Sequence, residues 1–279
     1  MPDVSWLRGA LMRCVNPFLI ALGATTPLPM RLAAQQLHQC VVVWDSRTGR
    51  ESRTNDAECG TRLSPASTFK IPHALVALQV GAIGPHDVER WDGTKYPNTP
   101  VWQADYTVAT AIRPSVVWFF QRIAPRVGAE RMHQRLQQLQ YGNAATDGDV
   151  TRYWLNGTLR VSPIEQVAFL RNFFASRAPF DSAWTTLVRE ALVQPPDSIE
   201  NAMGKWPMGE QWPAGAVWRA KTGFTSYDGR TVNWLVGEIV EGSRRRVFAS
   251  AVWRDGGTVG NVDAAHLAAQ VLFGRAARP

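Results

Sequence analysis

A chain of 279 residues that is 45% hydrophobic and 19% charged is long enough to close a substantial core, which excludes a small stapled scaffold and a disordered segment. Its net charge of +7 does not by itself indicate nucleic acid, because the arginines run along the whole chain and are not gathered with aromatic residues in one module.

At the N-terminus, Arg8 and Arg13 precede an apolar run over Val15–Leu22, with small residues around Ala21-Leu22-Gly23-Ala24. This predicts a secretory leader over residues 1–24, despite Asp3 and Pro17, with export to the periplasm and a mature domain over 25–279. The run is too short to span a bilayer, so no membrane anchor is expected. Cys40-Val41-Val42-Val43-Trp44-Asp45 has strand composition, and Ser46-Arg47-Thr48-Gly49 supplies a turn before a second short strand. Cys40 and Cys59 flank that hairpin; in an oxidising compartment they can pair, and otherwise they are two separate buried thiols. The five histidines are scattered, and no spacing suggests a metal site.

Ser67-Thr68-Phe69-Lys70 stands at the mouth of an apolar helical run, Ile71–Leu78. A serine and a lysine three residues apart share one helix face, so the amine can reach the hydroxyl. Pro72 suits a first helical turn, which places the helix start near Ser67, where exposed amides favour an oxyanion and disfavour an ammonium. His73 either faces the same site or packs. Only Lys70, Lys95, Lys205 and Lys221 among the 30 basic residues are lysine. Arginine keeps its proton, so a chain that otherwise writes arginine retains lysine where a proton must be lost.

Residues 84–100 are rich in proline, glycine and asparagine and read as a loop. Ala104–Arg113 reads as helix, and Pro114 opens a second, with Ser115 as its N-cap before an apolar stretch over Val116–Phe120. Glu130–Gln140 is a further amphipathic helix that Tyr141-Gly142-Asn143 closes as a stop. Residues 147–160 form a loop carrying Trp154. Ser162-Pro163-Ile164-Glu165 is a capping box opening a helix to about Ser176, which gives Glu165 a structural role, and Ser182–Val193 is helical.

The C-terminal third turns to strands over Ala216–Thr225, Thr231–Glu241 and Arg246–Arg254, followed by a closing helix over Ala264–Phe273. The run Arg244-Arg245-Arg246 after Gly242-Ser243 reads as a solvated hairpin turn. The expected fold is α/β of the α+β kind: a central antiparallel sheet of about five strands flanked by helices. Its sheet lobe covers about 38–84 and 162–279, and an inserted helical lobe covers about 85–161. Ser67 then lies at the seam, where small-molecule sites form.

Lys221-Thr222-Gly223 on the first of those strands completes a set. With Ser67-Thr68-Phe69-Lys70, Ser115-Val116-Val117, Tyr141-Gly142-Asn143 and Trp154 with Gly157, it resembles the class D serine β-lactamases, over about residues 38 to 275. The resemblance implies a β-lactam hydrolase with Ser67 as acylated nucleophile and Lys70 as general base after capturing carbon dioxide as a carbamate, with no metal or other cofactor. It implies that Val117 and Trp154 support the carbamate, that Ser115 and Lys221 deliver a proton to the lactam nitrogen, and that the amides of Ser67 and Phe224 bind the oxyanion. Thr222, Gly223, Tyr141 and Asn143 are expected against substrate. The family's usual arginine for the substrate carboxylate is missing from 256–266, leaving Arg254, Thr222, Thr225 or Arg230 for that task. Alternatives are a class C-type enzyme with Tyr141 as base, a β-lactam sensor that acylates without turnover, or a cell-wall transpeptidase. Monomer and homodimer are both compatible with the sequence.

Overall fold

The structure, a computed structural model, describes residues 36–208, 213 and 215–274; the expected leader lies outside the described residues. Strand β1 (Leu37–Asp45) and the short β2 (Glu51–Arg53) form the first hairpin. Helix α1 (Asp56–Cys59), capped by the Asn55 side chain on the Glu58 amide, ends at Cys59, which is disulfide-bonded to Cys40. The bridge closes a short loop, a stabilisation of about 3 kcal/mol in the chain-entropy account.

A 3-10 turn over Ala66–Phe69 leads into helix α2 (Lys70–Gln79), nearly all of whose residues are buried. The helical region follows with α3 (Val108–Ile112), α4 (Val117–Val127) and α5 (Ala129–Gln138). Helix α3 starts later than the sequence suggested, because a capping box between Thr107 and Thr110 fixes its first turn. Helix α6 (Pro163–Phe174) opens on the expected Ser162–Glu165 capping box, and α7 (Ser182–Ala191) on Asp181. A small hairpin that the sequence did not reveal, β3 (Ser198–Asn201) with β4 (Gly204–Pro207), precedes the long strands β5 (Val217–Tyr227), β6 (Arg230–Glu241) and β7 (Arg244–Asp255). Helix α8 (Asp263–Phe273) ends the described chain at a left-handed Gly274.

The main sheet is antiparallel with the order β2-β1-β7-β6-β5. Side chains alternate across it, as a period of two requires. Cys40 and Val42 of β1, Trp234 and Val236 of β6, and Val247, Ala249, Ala251 and Trp253 of β7 join the core shared with the helical region. Val41, Val43, Leu235, Ile239, Phe248 and Val252 join a second core beneath α8. Both faces are therefore covered, and the strands read as long apolar runs.

The arginine run is not a solvated turn. Gly242 makes the turn with φ +59°, and Arg244, Arg245 and Arg246 begin β7, pairing with Asp45 (2.5 Å), Glu238 (2.8 Å) and Glu241 (2.5 Å). Glu238 is fully buried and is also paired with Arg219 at 3.1 Å. A buried carboxylate without such partners would cost several kcal/mol, so Arg219 and Arg245 are held by Glu238, and of the run only Arg246 is itself buried.

Candidate active site

Ser67 stands on a strained turn. Ala66 holds φ +49°, a left-handed conformation that costs about 1–2 kcal/mol for a residue with a Cβ, and such cost persists only where the surroundings fix it. The fixing comes from behind. Ser64 Oγ lies 3.0 and 2.7 Å from the carbonyl oxygens of Trp154 and Leu155, its amide donates to the Tyr227 hydroxyl, and its carbonyl accepts from the Trp234 indole at 2.9 Å. Strand β5 presses against the same turn at Gly223, where an added Cβ would lie 3.1 Å from both the Pro65 carbonyl oxygen and Thr68 Cγ2. A side chain there would force the neighbours to give by a few tenths of an ångström, so glycine suits this close approach of the two backbones.

One residue beyond that turn, Lys70 is fully buried, and its Nζ donates to Ser67 Oγ at 2.7 Å. The Phe120 ring centroid lies 5.4 Å from Nζ. Burial, reinforced by the charge of Lys221, holds the Lys70 amine well below the usual lysine range. A neutral amine at this distance can accept the serine proton.

A second serine–lysine pair faces the first. Lys221 Nζ donates to Ser115 Oγ at 3.0 Å and to the Thr222 carbonyl at 2.9 Å, and burial lowers its pKa to about 7. Ser115 is not the helix cap expected from sequence; Val116 occupies that position and Ser115 precedes it with φ +61°. The turn is held by the Ser115 amide on the Ile112 carbonyl (3.1 Å) and by the Trp102 indole on the Pro114 carbonyl (2.9 Å). Its left-handed backbone aims the hydroxyl at Lys221 instead of at the helix amides.

Ser67, Ser115, Val117, Thr222, Gly223 and Phe224 line one cavity of about 630 Å³. Trp102, Met203, Asn233, Thr258 and Asn261 line it too, and none of these was singled out from sequence. Asn233 had a visible signal, a lone amide within the apolar run Val232–Val236; it donates to the Gly223 and Asn261 carbonyls and accepts from the Ala264 amide, joining β5 to the start of α8. Of the groups named for a substrate carboxylate, only Thr222 lines the cavity. Arg230 is paired with Asp255, Thr225 donates to the Leu155 carbonyl, and Arg254 lies elsewhere.

Tyr141 and Asn143, expected against substrate, are outside this cavity. Tyr141 is fully buried with its ring 6.0 Å from that of Phe69, and burial pushes its phenol up, opposite to what a tyrosine base requires. Asn143 is not a helix stop, since α5 ends at Gln138. Its side chain accepts from the Arg160 amide (2.8 Å) and donates to the Thr158 carbonyl (2.9 Å), tying down the loop that carries Trp154. Trp154 is fully buried against Phe69, and its indole N–H finds no acceptor among the described residues. Among those residues no histidine, cysteine and carboxylate group is arranged to hold a metal.

A penicillin binding protein transpeptidase domain profile matches residues 39–272. The "probable beta-lactamase YbxI" of Bacillus subtilis is 38% identical over 50% of this chain and 52% of its own length. Beta-lactamase OXA-48 of Klebsiella pneumoniae is 31% identical over 71% of this chain and 68% of its own. The chain thus spans between half and about two thirds of these relatives. A class D beta-lactamase structure from Bacillus subtilis superposes with a TM-score of 0.70 at 29% identity, covering 86% of this chain and 92% of that one. The C-terminal domain of the Bacillus licheniformis BlaR penicillin-receptor superposes with a TM-score of 0.71 at 26% identity, covering 85% of this chain and 89% of that domain.

Proposed function

The chain belongs to the penicillin binding protein transpeptidase family and within it to the class D β-lactamases, and from that premise we propose that it hydrolyses the amide of penicillin-type β-lactams and so confers resistance to them. The observation that carries the proposal is the pair of buried serine–lysine contacts, at 2.7 and 3.0 Å, whose two hydroxyls open on one cavity.

In this reading a base at the Lys70 position takes the Ser67 proton as Oγ bonds to the lactam carbonyl carbon. The oxyanion is met by the Ser67 and Phe224 amides, a contribution of about 2.7–4 kcal/mol per donor in comparable hydrolases. The C–N bond then breaks, the nitrogen taking a proton from Ser115, which Lys221 resupplies; a lysine titrating near 7 gives up its proton readily at neutral pH. Before deacylation the base gives the proton it took from Ser67 to solvent, and Lys221 recovers the one it supplied. Water then attacks the resulting ester, its proton passing to the freed base and from there to Ser67 Oγ as the ester C–O bond breaks.

The residues around Lys70 fit a carbamate. Its amine is kept neutral by burial, and the Trp154 indole N–H, buried without an acceptor among the described residues, suits an anionic oxygen. Val117 adds an apolar wall beside the cavity. Carbamate formation joins Nζ to the carbon of carbon dioxide, moves one C=O π pair onto oxygen and releases one N–H proton to solvent. When present, the carbamate supplies a carboxylate-type base at this position. The Cys40–Cys59 disulfide supports export to an oxidising compartment such as the periplasm, with removal of a leader near residue 24.

The likeness to the BlaR domain favours a second reading, a sensor that is acylated and stays so. Incubation with benzylpenicillin, followed by intact-mass spectrometry and product release, separates the two. We expect many product molecules per enzyme and an adduct that decays. One equivalent of product with an adduct lasting hours assigns the sensor, and no adduct on Ser67 rejects both.

A further inference from the structure

Helix α2 places His73 one turn beyond Lys70 on the same face, and its imidazole is wholly enclosed. Three rings wall it: Trp154 at 5.2 Å edge-on, Phe120 at 5.3 Å and Phe69 at 5.4 Å between centroids. The Phe120 ring that His73 touches is the one 5.4 Å from Lys70 Nζ. Three polar atoms meet in this aromatic enclosure without a hydrogen-bond partner among the described residues: His73 Nδ1, His73 Nε2 and Trp154 Nε1. Buried polar atoms are paired in the great majority of cases, and three orphans in one aromatic enclosure, one wall of which also faces Lys70 Nζ, call for a common partner. A neutral imidazole always carries one N–H donor, and the indole carries another. The enclosure therefore offers two donors to something small, acceptor-rich and next to Nζ.

We propose that His73 is a positioning residue for the Lys70 carbamate, donating a ring N–H to one carboxylate oxygen while Trp154 donates to the other. This rests on the carbamate reading given above. Two donors on two oxygens fix the plane of the group and set which edge faces Ser67. Burial is the main cause that lowers the imidazole pKa, to about 3 beside an unmodified Lys70, and it favours the neutral ring, which donates without competing for the proton that the base must accept. A single buried water bridging the three atoms is the competing occupant.

The test is carbon-13 NMR of the full-length protein titrated with labelled bicarbonate and no lactam, so that it does not depend on turnover. His73→Phe keeps a ring and deletes the donor; His73→Asn keeps a donor near the Nδ1 position. We expect half-occupancy of the carbamate to need roughly tenfold more bicarbonate in His73→Phe, the effect of one buried hydrogen bond, and less than about threefold more in His73→Asn. In the wild-type protein, the nitrogen-15 resonances of the His73 ring should shift when bicarbonate is removed, a readout that needs no variant to fold. Equal half-occupancy in wild type and His73→Phe, or ring resonances indifferent to bicarbonate, overturns the role and assigns the site to water. No carbamate resonance in the wild-type protein overturns the carbamate reading and this inference together. A carbamate lost in His73→Phe in a protein that fails to turn over penicillin would leave the inference standing and remove only the hydrolase.

Discussion

The Nζ of Lys70 lies 2.7 Å from the Oγ of Ser67, with the lysine wholly buried and the serine 8% exposed. The amine can reach one proton in the cavity wall, and Ser67 can be approached only from the cavity side. Ser67→Ala is expected to lower kcat/KM for benzylpenicillin by at least about 10⁴-fold and to give no penicilloyl adduct by mass spectrometry. Lys70→Ala should do comparable damage, because arginine-like charge from elsewhere cannot accept a proton. An adduct forming on Ser67→Ala at the wild-type rate would remove Ser67 from the chemistry.

Lys221 ties stability to pH. An unfolded lysine holds its proton up to its ordinary value of 10.5, whereas burial brings the folded Lys221 to about 7. Between these values the unfolded chain binds more protons, so this group's contribution makes the fold more stable as pH rises, by at most ~1.4 kcal/mol per pH unit. Urea unfolding of wild type and Lys221→Met at pH 7 and 9 should differ by that slope, the variant gaining less on alkalinisation. Parallel curves would mean that Lys221 is charged or solvated in the fold.

Ser115 combines a needed hydroxyl with a costly backbone. Ser115→Ala should slow acylation by about 10²–10³-fold while leaving stability close to wild type, since both residues bear a Cβ at φ +61°. Ser115→Gly should be as slow but about 1 kcal/mol more stable than the alanine variant, because glycine adopts this conformation freely. Thermal melts of the two variants, with burst-phase rates, check both parts; an alanine variant at least as stable as glycine would show that the backbone relaxes.

Gly223→Ala tests how the sheet sets the nucleophile. The new methyl would meet the Pro65 carbonyl and Thr68 Cγ2 at 3.1 Å, and a backbone oxygen yields little. A shift of a few tenths of an ångström in the turn should lower the acylation rate by about tenfold or more with a smaller change in KM, since orientation counts most in the transition state. Single-turnover kinetics read this directly; an unaltered acylation rate would mean the turn is positioned from Ser64 and Trp234 alone.

The local chemistry was open to reading in the chain. Ser67-Thr68-Phe69-Lys70 and Lys221-Thr222-Gly223 carry their donors and acceptors in four and three residues, and the strands announced themselves because Cys40 and Val42 face one core while Val41 and Val43 face the other. What escaped depended on distant partners. The turn at Ser115 is held partly by the Trp102 indole on the Pro114 carbonyl, twelve residues away, so its sequence looks like an ordinary helix cap. Arg245 reads as a surface charge by composition and is drawn half into the fold only because Glu238, across the hairpin, is fully buried beside it. Tyr141 looked like a substrate contact because its tripeptide matches a pattern, but periodicity gives no hint that the ring turns inward to Phe69 and Phe169.

Strand β1 sits between β2 and β7, and its pairing with β7 joins residues about 200 apart along the chain. A polypeptide emerging from its N-terminus makes β1 first and its central neighbour almost last, so one edge of Cys40-Val41-Val42-Val43-Trp44 waits open throughout synthesis. Such an edge, apolar and rich in β-branched residues, is a template for unwanted pairing. The Cys40–Cys59 bridge spans a short stretch and can close long before β7 exists. Its main service is therefore to the half-made molecule: by tying β1 to α1 it restricts the waiting edge, and its loss would be felt in the yield of folded protein more than in the durability of protein already folded.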